Sequence, residues 1–305
     1  MNKPYKTINE QIKLLQSRGL IIDNSAAKVL LAENYYSLIN GYKDLFVSEE
    51  APDTYKDGTT FKQIYNLFLF DRSLRLFFLP WIIRIEANLK AIIAHIASRK
   101  YKDVPEFYTE QTTYLCGSDA QNESTKRTIE RLKYLRAQNY ASFNHYRENV
   151  GYIPLWVLTN KMTFGDLSYF YANLKSLSLQ NEIAKEYSNV VDDADIQRKR
   201  ITPDRMKQFL WLLTDFRNVC AHDERFYCHV SQKVRTLQPG AANVGALIKV
   251  MNRLLDQNSI EEFYGGFFAL LGEFVSSRFI SPDAQEKVIA AMGVKDQIHI
   301  RVPNG

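Results

Sequence analysis

Residues 209–227 read FLWLLTDFRNVCAHDERFY. An apolar run from Phe209 to Leu213 gives way, within three turns, to Asp215, Arg217, Asn218, His222 and Arg225. At 100° per residue, Phe209, Leu213, Phe216 and Cys220 fall within about 40° of one another with Leu212 beside them, which makes a core stripe. Asp215, Asn218, His222 and Arg225 fall within about 80° on the opposite side, and Arg217 lies between the stripes, roughly 140° from His222. An imidazole, an amide and guanidinium groups on one helix suit phosphodiester cleavage. Histidine titrates near neutrality, so it can take a proton from a ribose 2′-hydroxyl or return one to the leaving 5′-oxygen. Arginine stays charged and can brace the negative charge that builds on phosphorus. Asparagine can orient a phosphate or the imidazole. The candidates for catalysis are therefore Arg217, Asn218 and His222. A structural histidine with Asp215 and Arg225 on a solvated face uses the same residues without chemistry. No cluster of carboxylates or histidines marks a metal site, and no cofactor is expected.

The elements that must position these groups are helical. Thr202-Pro203 has the form of an N-cap followed by proline at the first helical position, which starts the helix in question. Upstream, Thr7 to Glu10 predicts a capping box, with Gly19 at the helix end. A second helix is expected from Ala26 to about Ile39, and residues 47–60 form a loop by composition. A long apolar-periodic stretch runs from Phe61 to Ser98, and Pro80 should kink it or start a new helix. Residues 101–118 look irregular, and Asp119 to Gln138 predicts an exposed charged helix. Pro154 to Leu174 predicts two short helices with Thr163 as a cap. The stretch NVVDDAD at 189–195 is read as a loop. More helix is expected from about Val244 to Met292, ahead of a strand-like or loose tail, KDQIHIRVPNG. No period-2 run is long enough for a sheet, so the fold class is all-α.

Composition narrows the partners. The chain has 305 residues, a formal net charge of +5 and 46% hydrophobic residues. Mild basicity permits an anionic partner without requiring one. Three cysteines with no CxxC spacing imply neither a disulfide framework nor a zinc finger. The N-terminus has no signal-type apolar core, and no charge-free run reaches the roughly 20 residues a bilayer needs, so the expected compartment is the cytoplasm. Residues 126–136, KRTIERLKYLR, set Lys126, Arg127, Arg131, Lys133 and Arg136 against one acid. Aromatic residues follow from Tyr134 to Tyr146, a mixture that suits single-stranded RNA and equally a solvated face over core aromatics. Arg198, Lys199 and Arg200 precede the motif helix, either as phosphate guides toward it or as a charged interhelical loop, and Arg225 completes the RNA-binding candidates.

Asp71 and Arg75, spaced i,i+4, are expected to pair on the helix surface and to organise packing or a dimer seam. Arg84 and Glu86 are read as structural. Tyr35, Tyr36 and Tyr42 are read as core and interface aromatics, His95 and His229 have no evident partner cluster, and His145 is not assigned to catalysis.

Arg217 to His222, RNVCAH, matches the R-N-x-x-x-H signature of the HEPN superfamily. The chain also resembles the Abi-like family, abortive-infection proteins of the AbiD/AbiF type. The resemblance is carried by KPYKTINEQIKLLQSRGL at 3–20, NYYSLINGYKDLF at 34–46, DGTTFKQIYNLFLFDRSLR at 57–75, RIEANLK at 84–90, HYRENVGYIPLWVLTNKMTFGDLSYFYANL at 145–174 and RNVCAHDERFY at 217–227. After His222 the chain departs from the family pattern, with Asp223 in place of a second histidine and Phe226-Tyr227-Cys228 in place of an aromatic-Asn-Arg ending. The resemblance covers roughly residues 3–230 and implies a HEPN-type helical bundle core at 59–235 with an N-terminal helical segment at 1–58 packed on it; beyond about residue 235 nothing is recognised, and the helical pattern alone makes 236–305 a C-terminal helical extension. The resemblance also implies RNA cleavage in phage defence by a homodimer in which two motif helices build one composite site, with no membrane involved. A different class of function uses the same helix to grip a structured noncoding RNA, an antitoxin-like partner, without catalysis. A third leaves the activity to a partner protein, with this chain as scaffold.

Overall fold

A computed structural model describes residues 5–191, 200–235 and 242–295. Among them the protein is built of helices, and extended pairing is confined to isolated bridges such as Val47 with Tyr55. The axis of the structure is a helix of 40 residues, Phe61–Lys100. Its start is a capping box: Thr60 Oγ1 accepts from the Gln63 amide at 3.3 Å, and Gln63 Oε1 accepts from the Thr60 amide at 2.8 Å. Phe61, Ile64, Leu67 and Phe68, then Leu74, Phe78, Ile82, Ile85, Leu89 and Ile93, with Asp71 between the two groups, keep helical spacing along one face, and all are buried. No new helix starts at Pro80; the helix runs through it. The carbonyl deprived of its donor belongs to Leu76, which is 66% exposed, so water can take the place of the missing N–H. Phe78 and Ile82, fully buried on either side, hold both halves to the core.

Numbered in chain order, α1 (Ile8–Ser17) and α2 (Ala26–Ala32) pack together ahead of this helix, which is α3. The Thr7–Glu10 capping box forms as expected. Helix α2 stops at Ala32, earlier than the expected Ile39. Glu33 turns extended, and Asn34 Oδ1 accepts from the Tyr36 amide at 2.8 Å, which starts a separate π-helical turn at Tyr36–Asn40. Asparagine competing for backbone donors ends the helix there. Tyr42 is buried, Tyr35 half-buried and Tyr36 exposed.

After two short 3-10 turns come α4 (Asp119–Ala137), α5 (Ala141–Asn149), α6 (Leu155–Leu158), α7 (Phe164–Asn173) and α8 (Leu177–Val191). Thr163 caps α7 in a capping box with Asp166. Residues 189–191, expected in a loop, are the last turn of α8; the remainder of that segment to 199 lies outside the described residues. Helix α4 is exposed on its charged side but buries Ile129, Leu132 and Leu135.

Next is α9 (Pro203–Ala221), with α10 (Gln232–Arg235), α11 (Val244–Leu254), α12 (Gln257–Ser276) and α13 (Pro282–Met292) after it. Helix α9 packs against α3, α7, α8 and α11. Enclosure on several sides widens its buried face beyond the expected stripe: Leu210 and Val219 join Leu212, Leu213 and Phe216, while Phe209 and Cys220 sit at the margin. Helix α12 lays Phe263 and Phe267 against Phe78 of α3, with ring centroids 5.4 and 5.7 Å away, and Phe226 meets the same ring at 4.9 Å. Gly266 permits the approach, since a Cβ there would stand 2.7 Å from the Phe77 ring. The expected strand-like tail falls, beyond Lys295, outside the described residues. No described helix is long and apolar enough to cross a membrane.

Phe78 thus joins α3, α12 and the segment after α9. Phe78→Ala is expected to cost about 3–5 kcal/mol, read as a lowered midpoint in urea unfolding; a midpoint unchanged from the parent protein would refute this account of the core.

Candidate functional site

Helix α9 is built to hold its end in place. At the start, Thr202 Oγ1 accepts from the Arg205 amide at 3.3 Å and Pro203 occupies the first position, as the sequence predicts. At the end, His222 is the C-cap, its amide donating to the Asn218 carbonyl at 2.9 Å. Asp223 then takes φ +55°, and the Glu224 amide returns to the Val219 carbonyl at 3.2 Å. The chain therefore reverses immediately after the motif histidine.

What secures the reversal is a buried pair on α3. Asp71 is fully buried and Arg75 is 2% exposed, so the pair expected on the surface is an interior one. Arg75 Nη1 lies 2.6 Å from Asp71 Oδ2. The same carboxylate accepts from the Tyr42 hydroxyl at 2.6 Å and from the amides of Phe226 and Tyr227 at 2.9 and 2.7 Å. Arg75 also donates to the Glu224 carbonyl at 3.0 Å and to the Asp223 carboxylate. Burial pushes the Asp71 carboxyl up, against the Tyr42 hydroxyl, the two amides and the Arg75 charge, all of which favour the ionised form. Interior placement is tolerable because these donors replace water. Arg72 adds an outer tie, forked onto Glu33 at 2.8 Å for each bond and 3.6 Å from Asp223. Asp223, where a second histidine was expected from the resemblance, thus anchors the turn.

The three motif side chains differ in their surroundings. Asn218 and His222 are exposed, and among the described residues neither side chain has a hydrogen-bond partner. Arg217 lines a cavity of about 910 Å³ beside α3 and α6, with Glu86, Lys90, His95, Ser98 and Trp156. Among the described residues it makes no ion pair, and its Nε is buried without a partner. His222 does not line that cavity.

The other basic candidates are dispersed. Arg225 is half-buried and held by Asp44 at 2.9 Å. On α4, Arg127 pairs with Glu123 at 2.8 Å, Arg131 with Asp166 at 3.0 Å and Arg136 with Glu106 at 3.1 Å, while Lys126 and Lys133 are exposed without an ion pair among the described residues. Arg200 is exposed, and Arg198 and Lys199 lie outside the described residues. Arg84 pairs with Asp256 at 3.1 Å and Glu86 with Lys90 at 2.7 Å, both structural as expected. His145 is exposed beside Asn149.

Two histidines have surroundings that spacing did not reveal. His95 stands in the Arg217 cavity, which only the packing of α6 on α3 creates. His229 Nε2 lies 2.9 Å from Asp215 Oδ2, and its ring meets Phe216 edge-on. Asp215 is therefore part of a local clamp. Burial, the largest single influence, raises its carboxyl, but the hydrogen bonds from His229 and Ser231 and the attraction of His229 together outweigh it and hold the carboxyl below the usual range. Cys220 is pushed up to about 12 by burial, and burial raises Cys228 as well, so neither is a nucleophile near neutrality.

With this arrangement in view, comparison with known proteins identifies the class. The model of the family described as Abi-like protein matches residues 28–228, and the chain belongs to that family. The matched span contains Asp71, Arg75, Arg217, Asn218 and His222 and ends just after the anchored turn. No curated protein and no solved structure matches the chain.

Asp71→Ala strips Arg75 of its carboxylate and orphans two amides, so a loss of about 3–5 kcal/mol is expected in thermal or urea unfolding; a loss below 1 kcal/mol, the scale of a surface pair, would contradict the clamp. Among the thiols, exposed Cys116 should react with Ellman's reagent at pH 8 well before Cys220 and Cys228. Equal rates for all of them in the folded protein would show that the α9 end is open to solvent.

Proposed function

We propose that the protein is an endoribonuclease of HEPN type that acts in abortive infection and cleaves RNA through attack of a ribose 2′-oxygen. Membership of the Abi-like family supports a role in phage defence. The observation that carries the nuclease reading is the state of the motif side chains at the end of α9: an exposed imidazole and amide at His222 and Asn218, and a guanidinium at Arg217 that is free of ion pairs among the described residues. Polar groups that serve only the fold are partnered, as Asp71, Arg75 and Asp215 are.

In this reading an imidazole takes the 2′-hydroxyl proton, the 2′-oxygen bonds to phosphorus, and the P–O5′ bond breaks as an imidazole returns a proton to the leaving oxygen. The products are a 2′,3′-cyclic phosphate and a 5′-hydroxyl. Arg217 braces the charge on the phosphorane-like transition state, and Asn218 positions the phosphate. Within one chain Arg217 faces the α3 cavity while His222 faces outward, so two copies of the motif helix, one from each subunit of a homodimer, complete the set. Activity then depends on protein concentration near the dimer dissociation constant.

Purified protein incubated with RNA in EDTA should yield cyclic-phosphate ends, and His222→Ala should lower the rate by ~10²–10⁴-fold. Cleavage by His222→Ala at the parent rate removes the mechanism. Tight, salt-sensitive RNA binding without turnover in the parent protein would instead establish the non-catalytic RNA-gripping function.

A further inference from the structure

The cavity beside Arg217 has contents that the cleavage chemistry does not use. Trp156 is 50% exposed at its edge, although its neighbours in the short helix α6, Leu155, Val157 and Leu158, are buried. The Trp156 carbonyl accepts from Thr159 Oγ1 at 3.3 Å and from Asn160 Nδ2 at 3.2 Å, so the turn that presents the indole is tied down. An anchored backbone that directs a large aromatic ring outward provides a stacking face.

The charges around it are unequal. Lys90 is matched by Glu86 at 2.7 Å and Arg99 by Glu182 at 2.5 Å. Arg217 is matched by no carboxylate among the described residues, which leaves the cavity positive. Two atoms of the lining residues, Arg217 Nε and Ser98 Oγ, are buried with no hydrogen-bond partner. Both atoms are shut off from solvent, so neither one is what the cavity offers a ligand; that falls to the rest of the Arg217 guanidinium. His95 borders the same space. A volume of about 910 Å³ is the size of a ligand pocket, and a positive, donor-rich pocket with an aromatic wall suits an anion that carries a planar ring.

We propose that this cavity seats one nucleotide of single-stranded RNA, its base stacked on Trp156 and its phosphate held by Arg217, with His95 as a further polar partner. The proposal deepens the nuclease reading, since Arg217 is common to both, yet it concerns binding and stands without turnover. Stacking is sequence-tolerant because every base has a π-face, so Trp156 adds affinity and fixes the strand beside Arg217 without selecting a sequence.

The probe is a fluorescently labelled 2′-O-methyl hexaadenylate, which lacks the attacking hydroxyl and so reports binding alone. Trp156→Ala should weaken its binding roughly 5- to 150-fold, the range for loss of one stacked base. Trp156→Phe, which keeps a ring, should retain most of the affinity and also shows that the site folds. Arg217→Gln should weaken binding and flatten its salt dependence, whereas Lys126→Ala with Lys133→Ala on α4 should leave the Trp156 effect intact. Equal affinity of Trp156→Ala and the parent protein, or no binding by the parent, overturns the proposal. Cleavage of natural RNA with no role for Trp156 removes this pocket and leaves the nuclease standing. Binding dependent on Trp156 with no cleavage does the reverse.

Discussion

The Asp71–Arg75 pair is the constraint on which the end of α9 and the turn after it depend. An ion pair taken out of water loses hydration that mutual attraction alone does not restore, so it persists only where other groups complete its hydrogen bonds. Here they come from Tyr42, from the Phe226 and Tyr227 amides, from the Glu224 carbonyl and from Asp223. Three stretches distant in sequence therefore have one low-energy arrangement, and the reversal after α9 is part of it. His222 is the last residue before that reversal. Its exposure follows from its place on a helix end that the clamp holds against α3.

The same packing divides the motif. Helix α9 is enclosed by α3, α7, α8 and α11, which use most of its circumference. Arg217 occupies the flank toward the cavity beside α3, while Asn218 and His222 occupy what remains open to solvent. Residues five apart on this helix therefore differ in surroundings, one lining a cavity and the other open to solvent.

Much of the fold was legible from local signals. The capping box at Thr7, the cap at Thr163 and the Thr202-Pro203 start are short-range devices whose hydrogen bonds close within three residues, and each formed as read; the capping box at Thr60, where the sequence reads only as the end of a loop, was missed. The readings that changed were those where a neighbour decided the outcome. Helix α2 ended early, at Ala32 just ahead of Asn34, Pro80 passed within a continuous helix because Phe78 and Ile82 on either side are buried, and the Asp71–Arg75 pair moved from surface to interior. The charged helix α4 was recognised, but three of its five cations are tied to carboxylates on itself and on other elements, which spacing along one helix shows only for Arg127 with Glu123.

What the sequence by itself determined is the all-α class, the family and the residues of the motif, since helical periodicity, capping and ordered blocks are written within a few turns of chain. Tertiary structure alone decided which of those residues remain unpaired, that His229 clamps Asp215, and that His95 and Trp156 share a cavity with Arg217. The reason is range. A hydrogen bond between residues 71 and 226, or a cavity between α3 and α6, depends on the relative placement of elements, and burial of apolar faces sets that placement without leaving a periodic mark on either partner.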